Sequence, residues 1–264
     1  MVYSQSQGIG RGSIRHHPTK AEGRDRTRQA VTPYPFTSSS LIYLISAFVL
    51  AMIKNIAFDL GGVVLALSYE QAVERFEKIG LKDARSRLDA FEQTGIFGEL
   101  ESGSITAEDF RRELSILVGR ELTMDECYTA WHGYVDYVPK RNLEAILSLR
   151  ARGYKVCLLS NTNPFMMQWA DKDFDGEGHP ISYFFDAMYL SYECKVMKPK
   201  REIFEIMLKG QQALPEETIF IDDGPRNVKT AEEMGMLTLC PPNNEDWTAA
   251  LEDLLMSQSI LTPM

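Results

Sequence analysis

The sequence predicts an α/β fold: a Rossmann-like parallel-sheet core with a helical segment inserted after the first strand. Three observations carry this. Short apolar runs alternate with amphipathic helical segments from residue 138 onward, the pattern of a parallel sheet with right-handed crossovers. Three of the apolar runs end in polar residues: Asp59, Ser160-Asn161 and Asp222-Asp223. Between the first and second of these runs, residues 68–137 keep helical periodicity with no strand signal.

The elements follow in order. In I-K-N-I-A-F-D-L-G-G-V-V-L, Ile53 to Leu65, the residues Ile56, Ala57 and Phe58 suit a buried strand. Asp59 ends the strand, where open α/β sheets bind ligands, and Gly61-Gly62 permit a sharp turn beside it. In the insert, Ala72, Val73, Phe76 and Ile79 share a helix face that stops at Gly80, and Leu88, Phe91 and Ile96 extend the helical surface. Thr106 is placed to cap the next helix, answered by Asp109, with Phe110, Leu114 and Leu117 facing inward. A further helix from Thr123 carries Cys127, Ala130, Trp131 and Tyr134. Helices are then expected at 142–152, 165–170, 202–209, 228–234 and 247–256. Strands are expected at 155–161, 187–190, 218–221 and 237–240.

Composition bounds the rest. The chain has 264 residues, 44% apolar and 25% charged, ordinary for a globular protein. Net charge is -9: residues 1–51 contribute +4 and the remainder -13. An acidic body argues against nucleic acid as a partner. The four cysteines form no C-x-x-C pair, which argues against a zinc knuckle, and Cys157 and Cys240 read as small core residues. Residues 1–51 read as a disordered arm or a non-native upstream extension, with Met52 as the internal start. Leu41 to Ile53 is apolar but shorter than the roughly 20 residues of a membrane span. The expected location is cytoplasmic, or exported if residues 1–51 act as a signal.

Together the three strand ends place three carboxylates, a hydroxyl and backbone N–H groups around one crevice, with Lys198 nearby. Carboxylates so close repel unless a cation joins them, and oxygen ligands of this kind suit magnesium. A carboxylate, a metal, a lysine and N–H donors form the apparatus of phosphoryl transfer.

Four segments in order resemble the haloacid dehalogenase superfamily: D-L-G-G-V at 59–63, L-L-S-N-T-N at 158–163, M-K-P-K-R-E-I-F at 197–204 and F-I-D-D-G-P-R-N-V at 220–228. The D-L-G opening and S-N-T-N resemble its glucose-1-phosphate phosphatase branch. The resemblance implies a catalytic core from 52–67 and 138–264, with 68–137 as a helical C1 cap. It implies a Mg2+-dependent phosphatase of a small phosphorylated metabolite, with Asp59 as nucleophile and an aspartyl-phosphate intermediate. Mg2+ would be held by Asp59, the Gly61 carbonyl and Asp223, with Asp222 acting through bound water. Ser160, Asn161, Gly62 and Lys198 would hold phosphate, Lys198 also balancing the charge of Asp59. The alternatives are a non-catalytic phosphate-binding or regulatory relative and a metal-independent 2-haloacid dehalogenase, the latter disfavoured by Asp222-Asp223.

One departure stands out. Most phosphatases of the family carry a second Asp two residues after the nucleophile, as proton donor and then base; here that position is Gly61. Proton transfer typically contributes about 10²–10⁴-fold. Either the leaving group needs little help, as an anomeric hydroxyl would, or a cap residue such as His132 supplies the proton, or turnover is slow. Asp171, Asp173, Asp175 and Gly176 copy the start of a calcium loop, but position twelve is Ser182 rather than Glu.

Overall fold

The computed structural model describes residues 52–89 and 93–260; residues 1–51 and Phe91, on which expectations above rest, lie outside them. Five strands form a parallel sheet: β1 (Asn55–Phe58), β4 (Lys155–Ser160), β5 (Ala187–Leu190), β6 (Thr218–Ile221) and β7 (Leu237–Leu239), in the order β5-β4-β1-β6-β7. β1 is central. Phe58 is level with Leu158 of β4 and Ile221 of β6, so β1 and β6 end together and β4 runs two residues further, to Ser160, along the same edge. Later strands are added on both sides of β1, so the chain reverses direction across the sheet there, the arrangement that opens a crevice at the strand ends.

All four residues of β1 are buried, because helices cover both faces. On one face Ile56, Phe58, Val156, Leu158, Ile219 and Ile221 pack with Leu143, Ile146 and Leu149 of the Lys140–Ala151 helix and with Trp247, Leu251 and Leu255. On the other, Ala57, Cys157, Leu159 and Phe220 meet Ile203, Phe204 and Met207 of the Arg201–Gln211 helix. The turn after β1 is pinned from this packing: Asn142 Nδ2 donates to the carbonyls of Val63 (2.8 Å) and Val64 (3.2 Å), and Trp247 Nε1 donates to Val63 (2.8 Å).

A separate apolar cluster fills the inserted segment. Phe76, Phe97, Phe110 and Trp131 meet edge-on or tilted, with centroids 5.3–5.8 Å apart, and Phe165 and Met166 join the cluster from the core side. Aromatic edges and faces of opposite partial charge favour such pairs. The cap expected at Thr106 is a full capping box with Asp109, and Thr123 makes another with Glu126.

Three expectations are corrected. The insert is not wholly helical: β3 (Val135–Tyr137) pairs antiparallel with β2 (Ala66–Leu67), joining the two ends of the segment. Three residues are too few to show a period, so no strand signal was legible. Leu117 is exposed rather than inward-facing, and Cys240, just past the end of β7, is exposed rather than core.

Candidate active site

Asp59 and Asp222 follow β1 and β6 at the same level, Ser160 ends β4 one position further along, and Lys198 enters from the loop before the Arg201–Gln211 helix. Lys198 Nζ lies 2.8 Å from Asp59 Oδ1 and 2.6 Å from Asp222 Oδ2, with the lysine side chain 1% exposed. Burial pushes the lysine pKa down, but the two carboxylates outweigh it and the net direction is up. Its backbone is held as firmly: Lys198 N–H donates to Asn161 Oδ1 (2.8 Å) and Asn161 Nδ2 donates to the Lys198 carbonyl (3.0 Å). Asp222 is fully buried and accepts from Gly224 N–H (2.7 Å) and Asn227 Nδ2 (3.0 Å) as well as from Lys198. Asn227 thus orients Asp222.

Asp59, Asp222 and Asp223 bring carboxylate oxygens within 4.8 Å of one another. The crowding is visible in their protonation. Burial, against the pull of Lys198 and reinforced by Asp222 and Asp223, raises Asp59 to about 7. Burial and then Asp222 raise Asp223 to about 6. One lysine does not neutralise three carboxylates, and a hard divalent cation fits the remaining charge and the all-oxygen donor set. Asp59, Asp223 and the Gly61 carbonyl would hold it.

A cavity of about 770 Å³, counting its open mouth, lies over these groups. Asp59, Gly61, Ser160, Asn161, Lys198 and Asp223 line its floor, and the inserted segment contributes Gln93, Glu101, Trp131 and Tyr134. Trp131 and Tyr134 are therefore both packed in the aromatic cluster and turned to the cavity.

Two candidates fall away. Gly62 does not face the cavity: its N–H donates to Leu65 O (2.9 Å) within the turn, so that donor is not free for phosphate. It serves the site sterically. Its φ is +74°, and a Cβ there would collide with Asp223 Oδ2 and Asn243 Nδ2. Gly62→Ala is expected to lose about 1–2 kcal/mol to left-handed strain. With Asp223 as a ligand, it should also lose the stabilisation expected from magnesium, about 2.7 kcal/mol at a hundredfold excess over Kd, read as a smaller metal-dependent rise in melting temperature. An unchanged magnesium-dependent shift in a differential scanning experiment would separate Asp223 from metal binding. His132 is also outside the cavity lining; Nδ1 sits 3.4 Å from Arg75 Nη1 and the ring packs against Trp169. The acidic loop is spent on itself: Asp173 accepts from Gly178 N–H and Asp175 from Glu177 N–H and His179.

Sequence reasoning missed Asn243, whose Nδ2 donates to Asp223 Oδ2 (2.7 Å), and Glu101. Asn243 lies in a polar loop with nothing to distinguish it, and Glu101 is one acid among many in an amphipathic segment.

The family model for haloacid dehalogenase-like hydrolases matches residues 53–235. The chain belongs to the haloacid dehalogenase-like hydrolases. Among its relatives, a D-ribitol-5-phosphate phosphatase from Bacteroides thetaiotaomicron is 48% identical over 207 residues, 78% of this chain and 100% of the relative. A predicted HAD-like hydrolase from Porphyromonas gingivalis superposes with a TM-score of 0.74 at 43% identity, covering 78% of this chain and 98% of that one. A HAD family enzyme from Bacteroides thetaiotaomicron, solved with magnesium and inorganic phosphate, superposes with a TM-score of 0.68 at 34% identity, over 75% and 98% of the two chains. This hydrolase therefore has the Rossmann-like parallel core of the family. Among the described residues no helix is long and apolar enough to cross a membrane.

Proposed function

We propose that this hydrolase is a magnesium-dependent phosphatase acting on a small phosphorylated polyol or sugar. The observation that carries the reading is the buried Lys198 bridging Asp59 and Asp222 on the floor of a cavity that also presents Asp223. Asp59 is the nucleophile, its free oxygen aligned by the Lys198 ion pair and by the Leu60 N–H, which donates to Oδ1 at 2.7 Å. Ser160 and Asn161 border the phosphate position, and Lys198 offsets the negative charge on the transferred group. Magnesium would supply charge neutralisation to the carboxylates and the phosphoryl oxygens; Asp59, Gly61 and Asp223 would hold it, with Asp222 acting through bound water. In this reading 52–67 and 138–264 form the catalytic core, and 68–137 covers it and selects the substrate. The free cysteines Cys127, Cys157, Cys194 and Cys240 suit a reducing, cytoplasmic setting.

The relative named for D-ribitol 5-phosphate favours a substrate without the anomeric leaving group that was one explanation of Gly61. A pentitol 5-phosphate releases an ordinary primary alcohol, which needs a proton. The test is phosphate release from p-nitrophenyl phosphate and a panel of pentitol and hexose phosphates, with magnesium and with chelator. Magnesium-dependent release, fastest on a polyol or sugar phosphate, is expected. No release on any of them with phosphate binding intact would favour a non-catalytic binding protein, and halide release from a 2-haloacid would favour the dehalogenase.

A further inference from the structure

Glu101 ends the Gly95–Glu101 helix of the inserted segment and lines the same cavity as Asp59, Gly61 and Lys198. It is 8% exposed, a carboxyl group that forms no ion pair with another described residue. Its place is fixed through the backbone: the Ser191 hydroxyl donates to the Glu101 carbonyl (2.6 Å) and accepts from Thr162 N–H (2.9 Å), tying the helix end to the loop after β4. At the position where an Asp would usually follow the nucleophile there is no side chain to supply the proton. A Cβ on Gly61 would come within 2.6 Å of Leu67 Cδ1, so Leu67 occupies the space that side chain would need.

We propose that Glu101 is the general acid and base of the reaction, supplied from the helical segment in place of a side chain at Gly61. The proposal rests on the phosphatase reading above. Burial, with the nearby Asp59 charge, raises Glu101 to about 8, against the opposing effects of Asn163 and Lys198. The group thus stays protonated at neutral pH, as a donor must. The Asn163 Nδ2 beside it is buried and makes no hydrogen bond elsewhere among the described residues, so it is at hand as a donor to the carboxylate left after the proton has gone. In the first step an Asp59 oxygen bonds to phosphorus, the bond to the leaving oxygen breaks, and that oxygen takes the Glu101 proton to become the alcohol. In the second, water gives its proton to the Glu101 carboxylate as its oxygen bonds to phosphorus. The bond to Asp59 breaks, and phosphate leaves with Glu101 protonated again. Nothing is oxidised or reduced.

Glu101→Gln keeps the shape and removes the transferable proton. For ribitol 5-phosphate its kcat should fall by roughly 10²–10⁴-fold. First-turnover release of p-nitrophenolate from p-nitrophenyl phosphate, whose leaving group needs no proton, should change little. Inorganic phosphate binding, measured by calorimetry, should persist and report the fold. Equal loss on both substrates would make Glu101 structural, and no loss on either would make it a bystander; both overturn the proposal. A parent enzyme inactive on both substrates would instead sink the phosphatase reading itself.

Discussion

Asp59→Asn is expected to stop turnover while leaving the fold in place. An amide cannot form the acyl phosphate, and removing a member of a covalent-catalysis unit costs on the order of 10⁴- to 10⁶-fold. The same substitution should reveal the electrostatic strain of the site. The Asp59 pKa is raised from 3.8 to about 7, mainly by burial. A folded pKa above the unfolded one means stability that is full below the unfolded value and lost as pH rises through the folded value. In metal-free protein, the stability of Asp59→Asn relative to the parent should therefore improve between about pH 4 and pH 7. Phosphate release and melting temperatures at pH 5 and pH 8 in chelator check both parts. Turnover surviving in the Asn variant would remove Asp59 from the role of nucleophile.

Lys198→Met should be the most damaging single change to stability near the site. The ammonium is buried between Asp59 and Asp222, 2.8 Å and 2.6 Å from their oxygens. Methionine fills the channel but leaves two buried carboxylates facing each other. Removing one partner of a buried ion pair typically costs about 3–5 kcal/mol. At roughly 2–4 °C per kcal/mol for a body of this size, the melting temperature should fall by about 6–20 °C. Magnesium should restore part of it, because the uncompensated charge is what the cation meets. Urea denaturation with and without magnesium measures both. A loss under about 1 kcal/mol would mean the carboxylates are neutralised by other means.

The sheet and the floor of the site were legible in the sequence because their signals are local. Apolar runs broken by Asp59, Ser160 and Asp222 declare both the strand and its end, and a parallel sheet with β1 in the middle brings those ends together. What stayed hidden depends on long-range packing. Glu101 is indistinguishable from its acidic neighbours until the Gly95–Glu101 helix is seen against the cavity. Gly62 looks like a phosphate-binding glycine until its N–H is found bonded to Leu65. The short ribbon of β2 and β3 exists only because the two ends of the insert meet. The His132 expectation failed because a helix face is fixed by the aromatic cluster beneath it, which turns the ring toward Arg75 and Trp169.

The paired hydrogen bonds between the Asn161 side chain and the Lys198 backbone have a consequence for inheritance of change. Two residues 37 positions apart behave as one part. A substitution at Asn161 also loosens the loop from which the lysine is suspended, so its effect is felt at Asp59 as well. Residues that share partners in this way are not additive. On the proposed roles, the group that would hold the phosphate and the lysine that would offset its charge can drift only together, which narrows the sequences by which the chain could acquire a new substrate without first losing its lysine.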